Sequence, residues 1–115
     1  MIEFNLNSFL NSISFVLDYP EKDILKDITN HSRRVSYIAV NIGKKIGLDD
    51  KSIFDLEALA ILHDCGSGGF DYKKNSSLII EHCKIGEKIV KDFPFFTNVT
   101  NVILYHHEYD DGTGI

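Results

Sequence analysis

The stretch that decides the fold of this chain is DDKSIFDLEALAILHDCG, residues Asp49 to Gly66. Either Asp49 or Asp50 can cap a helix at its N-terminus, and apolar residues then recur with helical spacing. One face of that helix carries Ile53, Leu56, Ala60 and His63. Asp64 follows at once, and the glycine cluster that begins at Gly66 ends the helix. The stretch therefore predicts a core-facing helix whose end presents an imidazole beside a carboxylate.

The chain before this stretch also has helical periodicity. Apolar residues recur every three to four positions over residues 5–17, and Pro20 suits the first turn of a second helix. A third helix is predicted over residues 31–46, with Gly47 as its end. The face of this helix that we expect in the core carries His31, Val35, Ile38, Ile42 and Ile46.

Two further helices are predicted after the glycine cluster. One runs over about residues 76–93, where Pro94 breaks it, and the other starts at about Asn98. Gly86 lies within the first of them and would permit a close helix approach beside His82. No stretch alternates between apolar and polar residues as a strand does. We therefore expect an all-α bundle of about five to six helices in one domain.

The composition excludes several classes of protein. A net charge of −5 argues against a nucleic-acid-binding surface. No apolar run reaches the roughly 18 residues that span a bilayer, and the N-terminus lacks the features of a signal peptide. Cys65 and Cys83 do not form a disulfide framework and are expected to be small core residues. These features predict a cytoplasmic protein without a membrane segment.

All five histidines lie on or at the end of helical stretches. Four of them, His31, His63, His82 and His106, share a face with the apolar residues of their helix, so they should converge where those faces meet. A single histidine of this kind is usually a hydrogen-bonded core residue, which is the alternative for each of them. Imidazole and carboxylate together are ligands for transition metals, and this set exceeds the needs of one tetrahedral ion. We therefore predict a centre for two metal ions.

The motifs resemble those of the HD superfamily of metal-dependent phosphohydrolases and, within it, the HD-GYP family. The resemblance is carried by His31-Ser32-Arg33-Arg34-Val35, Leu62-His63-Asp64-Cys65-Gly66, His82 with Gly86, and His106-His107-Glu108 followed by Asp111-Gly112-Thr113-Gly114. The last run is similar to the family signature HHExxDGxGYP. By this resemblance residues 21–115 form an HD/HD-GYP-like domain whose C-terminal part is missing, and residues 1–20 are a lead-in helix.

The resemblance implies hydrolysis of cyclic di-GMP in bacterial second-messenger signalling. It implies two or three divalent ions, most often iron or manganese. The implied metal ligands are His31, His63, Asp64, His82, His106 and His107, with His63 and Asp64 also catalytic. Asp27 lies one helical turn before His31 and is a candidate for an extra ligand, with a solvent-facing carboxylate as the alternative.

The chain departs from the family pattern near the expected substrate site. Ser67 stands where the family has a phosphate-binding lysine, so Ser67, Lys73 and Lys74 are the candidates for that contact. Ile115 stands in place of the tyrosine of the signature. Two alternatives therefore remain: an HD phosphohydrolase for another nucleotide, or a degenerate domain that binds metal or nucleotide and signals through a protein partner or a dimer.

Overall fold

The computed structural model describes residues 5–17, 30–66 and 77–114, and within these ranges the regular elements are all α-helices. α1 spans Leu6–Leu17, α2 spans His31–Lys45, α3 spans Asp50–Leu62 and α4 spans Ser77–Val90. The all-α class is confirmed, with four helices in the described ranges where five to six were predicted. The helix predicted from Pro20 lies outside the described residues. None of the four helices is both long and apolar enough to cross a membrane.

Local side-chain chemistry sets the helix ends. The Oδ1 atom of Asn5 accepts a hydrogen bond from the backbone N–H of Ser8 at 3.1 Å, at the start of α1. Asp49 caps α3 in the same way, with its Oδ1 atom 2.8 Å from the N atom of Ser52. Gly47 has φ of 85°, the left-handed conformation that ends α2 at little cost for glycine. Asp49, one of the two candidate caps, and the predicted stop at Gly47 are therefore confirmed.

The core is built around the C-terminal half of α3. Five consecutive residues, Ala58–Leu62, are buried there, so this half of the helix is covered on all sides. The buried apolar cluster consists of Leu10, Ala58, Leu59, Ile61, Leu62, Val90 and Ile103. Its members come from α1, α3, α4 and the segment after α4. The histidine and aspartate that follow Leu62 consequently emerge from the centre of the domain.

The prediction for the buried face of α2 was wrong. Its buried residues are Ser32, Ser36 and Gly43. The isoleucines expected in the core are exposed by 57% at Ile38, 57% at Ile42 and 70% at Ile46. Small residues let α2 approach α3 closely: a Cβ atom on Gly43 would lie 2.9 Å from side-chain atoms of both Ile53 and Leu56. The helix is thereby turned about its axis by roughly 100° from the predicted orientation, about one residue step.

The helix predicted from Asn98 is also wrong, because residues 100–107 form successive hydrogen-bonded turns. Asn101 has φ of 70°, which an α-helix does not accommodate. The carboxylate of Glu87 on α4 accepts hydrogen bonds from the N–H of Asn101 at 2.7 Å and the N–H of Leu104 at 3.1 Å. These amides bond to a side chain of another element, and the segment is tied to α4.

A buried carboxylate on α3 holds the segment that connects α4 to these turns. Asp55 is only 2% exposed. It accepts hydrogen bonds from the N–H of Phe96 at 2.9 Å and from the N–H and hydroxyl of Thr97 at 2.7 and 2.6 Å. The direction of the chain after α4 is therefore determined by contacts with α3.

Candidate metal centre

Four different parts of the fold bring the histidines to one place. His31 is the first residue of α2, and His63 follows the last residue of α3. His82 lies within α4, while His106 and His107 lie in the turns after it. The predicted convergence of these histidines is confirmed, and they meet around Asp64, next to His63.

One cluster, the first ligand group, consists of His31, His63 and Asp64. The Nε2 atoms of His31 and His63 are 3.2 Å apart. The Oδ2 atom of Asp64 lies 2.9 Å from Nε2 of His63 and 3.5 Å from Nε2 of His31. Three potential ligand atoms from α2 and the end of α3 thus surround one small volume.

The second ligand group consists of His82, His106 and His107, joined by the other oxygen of Asp64. The Nε2 atoms of His82 and His107 are 3.1 Å apart. The Oδ1 atom of Asp64 lies 3.4 Å from Nε2 of His106 and 3.8 Å from Nε2 of His82. Asp64 therefore directs one carboxylate oxygen towards each group.

The separations between these atoms agree with shared coordination. Zinc–nitrogen bonds, for example, are about 2.0–2.1 Å long. Two ligand atoms on one such ion, at angles of about 90–110°, are then separated by about 2.8–3.4 Å. The Nε2–Nε2 distances are 3.2 Å in the first ligand group and 3.1 Å in the second. The donor set, five imidazoles and one carboxylate, fits divalent transition metals.

The ring orientations present the lone pairs of two histidines to the centre. The Nδ1 atom of His63 is 2.6 Å from the carbonyl oxygen of Ala60, and Nδ1 of His106 is 2.6 Å from the carbonyl oxygen of Ile103. A carbonyl oxygen only accepts, so each Nδ1 carries the proton and each Nε2 carries the lone pair. This is the arrangement that fixes the tautomer of a histidine that binds metal.

One buried nitrogen supports metal binding independently. Nε2 of His106 is buried and has no hydrogen-bond partner among the described residues. A buried polar atom without a partner is costly, typically about 1–3 kcal/mol. A metal ion bound to this lone pair would remove that cost.

Burial keeps part of the second ligand group neutral. Desolvation is the largest effect at His82, where it lowers the pKa from 6.5 to about 4 although Asp64 opposes the shift. Desolvation followed by repulsion from His106 also lowers the pKa of His107. Neutral imidazole is the form that binds metal ions, so these sites need not lose a proton near neutral pH.

The centre is closed at one end and open at the other. The side chain of His82 is only 1% exposed and that of Asp64 is 11% exposed, while that of His31 is 29% exposed. His107 belongs to the exposed residues. A molecule from solvent would therefore reach the centre along the side of His31 and His107.

Cys83 lies beside the second ligand group, and its sulfur is close enough to the three histidines to share a metal ion with them. Its sulfur is 3.7 Å from Nδ1 of His106, the nitrogen that donates to the carbonyl of Ile103. Burial raises the pKa of the Cys83 thiol, so in the absence of metal it stays protonated. Cys83 is 2% exposed, so its predicted place in the core is confirmed.

Two glycines set the distance between the turn that carries Asp64 and α4. A Cβ atom on Gly66 would collide with the carbonyl oxygen of His82 and would lie 2.6 Å from the N atom of Gly86. A Cβ atom on Gly86 would lie 2.9 Å from Cγ2 of Ile103. The close approach expected at Gly86 is therefore present, and Gly66 extends it.

Sequence reasoning missed the residues that hold the second ligand group in place. Glu87 ties the turns that carry His106 and His107 to α4. The carboxylate of Glu108 folds the following loop back, because its Oε1 atom accepts from the N–H of Gly114 at 2.6 Å. Hydrogen bonds between a side chain and a distant backbone amide leave no periodic pattern in the sequence. Glu108 could be noticed only because it belongs to the run His106-His107-Glu108 that resembles the family signature.

Several predicted site residues lie outside the described part of the chain. They are Asp27, Ser67, Lys73, Lys74 and Ile115. Their predicted roles in metal or phosphate binding therefore stay predictions.

Comparison with known proteins identifies the family. Residues 28–114, most of the chain, match the HD domain. No curated protein and no solved structure matches significantly. The match includes all five histidines and Asp64, the residues that form the two ligand groups. The chain belongs to the HD domain family, whose members are generally metal-dependent phosphohydrolases.

Proposed function

We propose that this chain is a metal-dependent phosphodiesterase of the HD-GYP type that hydrolyses cyclic di-GMP in bacterial cytoplasmic signalling. The observation that carries the proposal is the shared position of Asp64. Its Oδ2 atom is 2.9 Å from Nε2 of His63, and its Oδ1 atom is 3.4 Å from Nε2 of His106. A carboxylate between two histidine clusters is suited to a pair of ions, which favours phosphate-ester chemistry.

The finer assignment is supported by the run His106-His107-Glu108 followed by Asp111-Gly112-Thr113-Gly114. This loop is ordered by its own side chains. Asp111 accepts hydrogen bonds from the N–H of Thr113 at 3.0 Å and from its hydroxyl at 2.7 Å, and Glu108 accepts from the N–H of Gly114. The loop follows His107 directly, at the open side of the centre. Its residues are therefore placed to influence which phosphodiester enters.

Bound divalent ions, with iron or manganese as the proposed pair, would supply a hydroxide at neutral pH and positive charge for the phosphoryl oxygens. His31 and His63 would hold one ion, and His82, His106 and His107 the other, with Asp64 in contact with both. Asp27 would be the extra ligand for a third. The proton on Nδ1 of His63, held by the carbonyl of Ala60, keeps the Nε2 lone pair directed at the centre.

The protein's own groups would orient the substrate. The exposed sides of His31 and His107 leave room for a phosphodiester to approach the centre. Ser67, Lys73 and Lys74 are our candidates for gripping its phosphates, with Ser67 donating a hydrogen bond where the family pattern has a lysine. If Lys73 and Lys74 bind the phosphates of the substrate, replacement of either lysine by alanine should raise KM more than it lowers kcat.

Metal content and hydrolysis of cyclic di-GMP test the proposal together. Protein purified without oxygen or chelators should contain about two ions, and Asp64→Asn should lose both ions and activity, because the amide removes the negative charge and leaves a single oxygen for the two ligand groups. Asp92→Asn, an exposed carboxylate with the same change of charge, is the control. Full metal content in the Asp64→Asn variant would contradict the site. Turnover of other nucleotides in place of cyclic di-GMP would support the alternative HD phosphohydrolase.

A second candidate is a degenerate domain that binds metal or nucleotide and signals through a protein partner or a second copy. The observation that favours it is Ser67, which brings no charge to the position where the family pattern has a lysine. Tight binding of cyclic di-GMP to the metal-loaded protein without any turnover would support this function. Restoration of turnover by Ser67→Lys would identify the missing charge as the cause.

A further inference from the structure

A groove lies between α4 and the segment that follows it, away from the metal centre. Its volume is about 740 Å³, and none of the five histidines or Asp64 lines it. Pockets for small molecules usually enclose about 300–1,000 Å³. The groove is therefore large enough for a ligand of its own.

The groove has an apolar floor. The residues that form the floor are Ile85, Val90, Phe93, Phe95, Val99 and Leu104. Apart from buried Val90, these side chains are half-buried, so each still exposes apolar surface to the groove. A ligand with an apolar body would remove that surface from water and gain about 25 cal/mol for each Å² covered.

Three lysines and two glutamates line the groove, so positive charge is in excess by one. Lys84 and Lys88 lie one turn apart on α4, and Lys91 follows directly after that helix. No ion pair joins these lysines to an acidic residue in the described part of the chain. Of the two glutamates that line the groove, Glu87 already accepts two backbone hydrogen bonds. In a chain with a net charge of −5, this local excess of positive charge beside an apolar floor favours a negative group, and no ion pair in the described part of the chain occupies the lysines.

We propose that this groove binds a small amphipathic anion with an apolar body and one carboxylate or phosphate head. The body would lie on the apolar floor and the head would lie among Lys84, Lys88 and Lys91. The groove is a second ligand site, distinct from the metal centre, and its occupation does not depend on the proposed phosphodiesterase activity. A ligand there would touch Asn101 and Leu104, whose backbone amides are held by Glu87.

Dodecanoate is a suitable probe, titrated below its micelle concentration into the full chain and followed by calorimetry and by methyl NMR signals. We expect saturable binding with shifts at Val99 and Leu104. Dodecanol, which lacks the charge, and acetate, which lacks the apolar body, should each bind at least tenfold more weakly. The double variant Lys84→Glu/Lys88→Glu should weaken dodecanoate binding about tenfold or more, because charge reversal replaces attraction by repulsion.

The double variant Lys44→Glu/Lys45→Glu on α2 is the matched control, with the same charge change on exposed residues. Equal weakening in both double variants would mean general attraction and would overturn the proposal. Equal affinity for dodecanol would overturn the basic head site. Shifts at the exposed Ile38 and Ile42 in place of Val99 and Leu104 would show that the probe binds α2, and absence of saturable binding would refute the groove as a site.

Discussion

Removal of the Glu87 carboxylate should loosen the second ligand group and leave the first one intact. Glu87 lies on α4, the helix that carries His82, and accepts hydrogen bonds from two amides in the turns that lead to His106. The first ligand group is built from α2 and the end of α3, so it makes no use of this link. Metal binding by the Glu87→Ala variant therefore shows whether the second ligand group can be weakened while the first one stays intact.

The magnitude follows from the two bonds. A hydrogen bond to a charged group contributes about 1.5–3 kcal/mol to stability. The N···O distance is short at Asn101, 2.7 Å, and ordinary at Leu104, 3.1 Å, and Asn101 is exposed, so water partly replaces the lost acceptor. We therefore expect Glu87→Ala to lower the free energy of unfolding by about 3 kcal/mol, the low end for two such bonds. Glu87→Gln keeps one carbonyl acceptor and should lose about half as much.

The effect on metal binding should be selective. Without Glu87 the turns must be ordered when the second ion binds, so its affinity should fall about 10–100-fold, as when a residue supporting a metal ligand is lost. The first ion should bind as in the unchanged protein. Stepwise manganese titration measures the two affinities, and urea unfolding with a chelator measures stability. Glu81→Ala, an exposed glutamate on the same helix, is the control.

Two results would refute this reasoning. If Glu87→Ala lost stability but bound both ions as tightly as the unchanged protein, buried Ile103 and its neighbours would hold the turns without Glu87. If both ions were weakened equally, the two ligand groups would behave as one unit and not as two clusters joined at Asp64.

Three further predictions concern stability. Asp55→Ala removes the acceptor of three hydrogen bonds and should cost roughly 2–4 kcal/mol in urea unfolding, with Asp55→Asn in between; no change would mean that residues 96 and 97 are held by other contacts. Gly66→Ala should cost about 1–3 kcal/mol and reduce metal content, because its Cβ would press on the backbone of His82 and Gly86; unchanged metal content would contradict the close approach. Because burial lowers the pKa of His82 to about 4, the unfolded chain takes up its proton first, and metal-free protein should lose roughly 2–3 kcal/mol as pH falls from about 6.5 to about 4. His82→Gln should flatten that pH profile, and an unchanged profile would assign the effect to another group.

Some features followed from the sequence because neighbouring residues control them. The N-cap of α3 at Asp49 and the end of α2 at Gly47 depend on one side chain and one backbone angle, and the sequence predicted Gly47 and a cap at either Asp49 or Asp50. The convergence of the histidines was also predicted, from apolar helix faces that should be buried together. That reason does not hold for α2, because Ile38, Ile42 and Ile46 on its predicted core face are exposed. The family match over residues 28–114 includes all five histidines and Asp64, and their role as metal ligands stays a prediction.

The buried face of α2 and the conformation of the segment after α4 depended on contacts between elements that are distant in the sequence. The periodicity of α2 favoured a core face with Ile38, whereas the close fit of Gly43 against Ile53 and Leu56 turned the helix to bury Ser32 and Ser36. Turns form in place of the predicted last helix because the carboxylate of Glu87, on α4, accepts hydrogen bonds from the backbone amides of Asn101 and Leu104.

The sequence by itself determined the helical class, the end points of most helices and which side chains are candidates for binding metal, since these depend on local propensity and on side-chain type. Only the tertiary structure decided that Asp64 stands between two groups of histidines, with its two oxygens 2.9 Å from His63 and 3.4 Å from His106. In that arrangement Gly43 allows α2 to approach α3, and Gly66 and Gly86 allow the turn after α3 to approach α4. The physical reason is that close packing between distant segments depends on the shapes of both segments. The spacing of residues along one segment cannot predict the shape of the other.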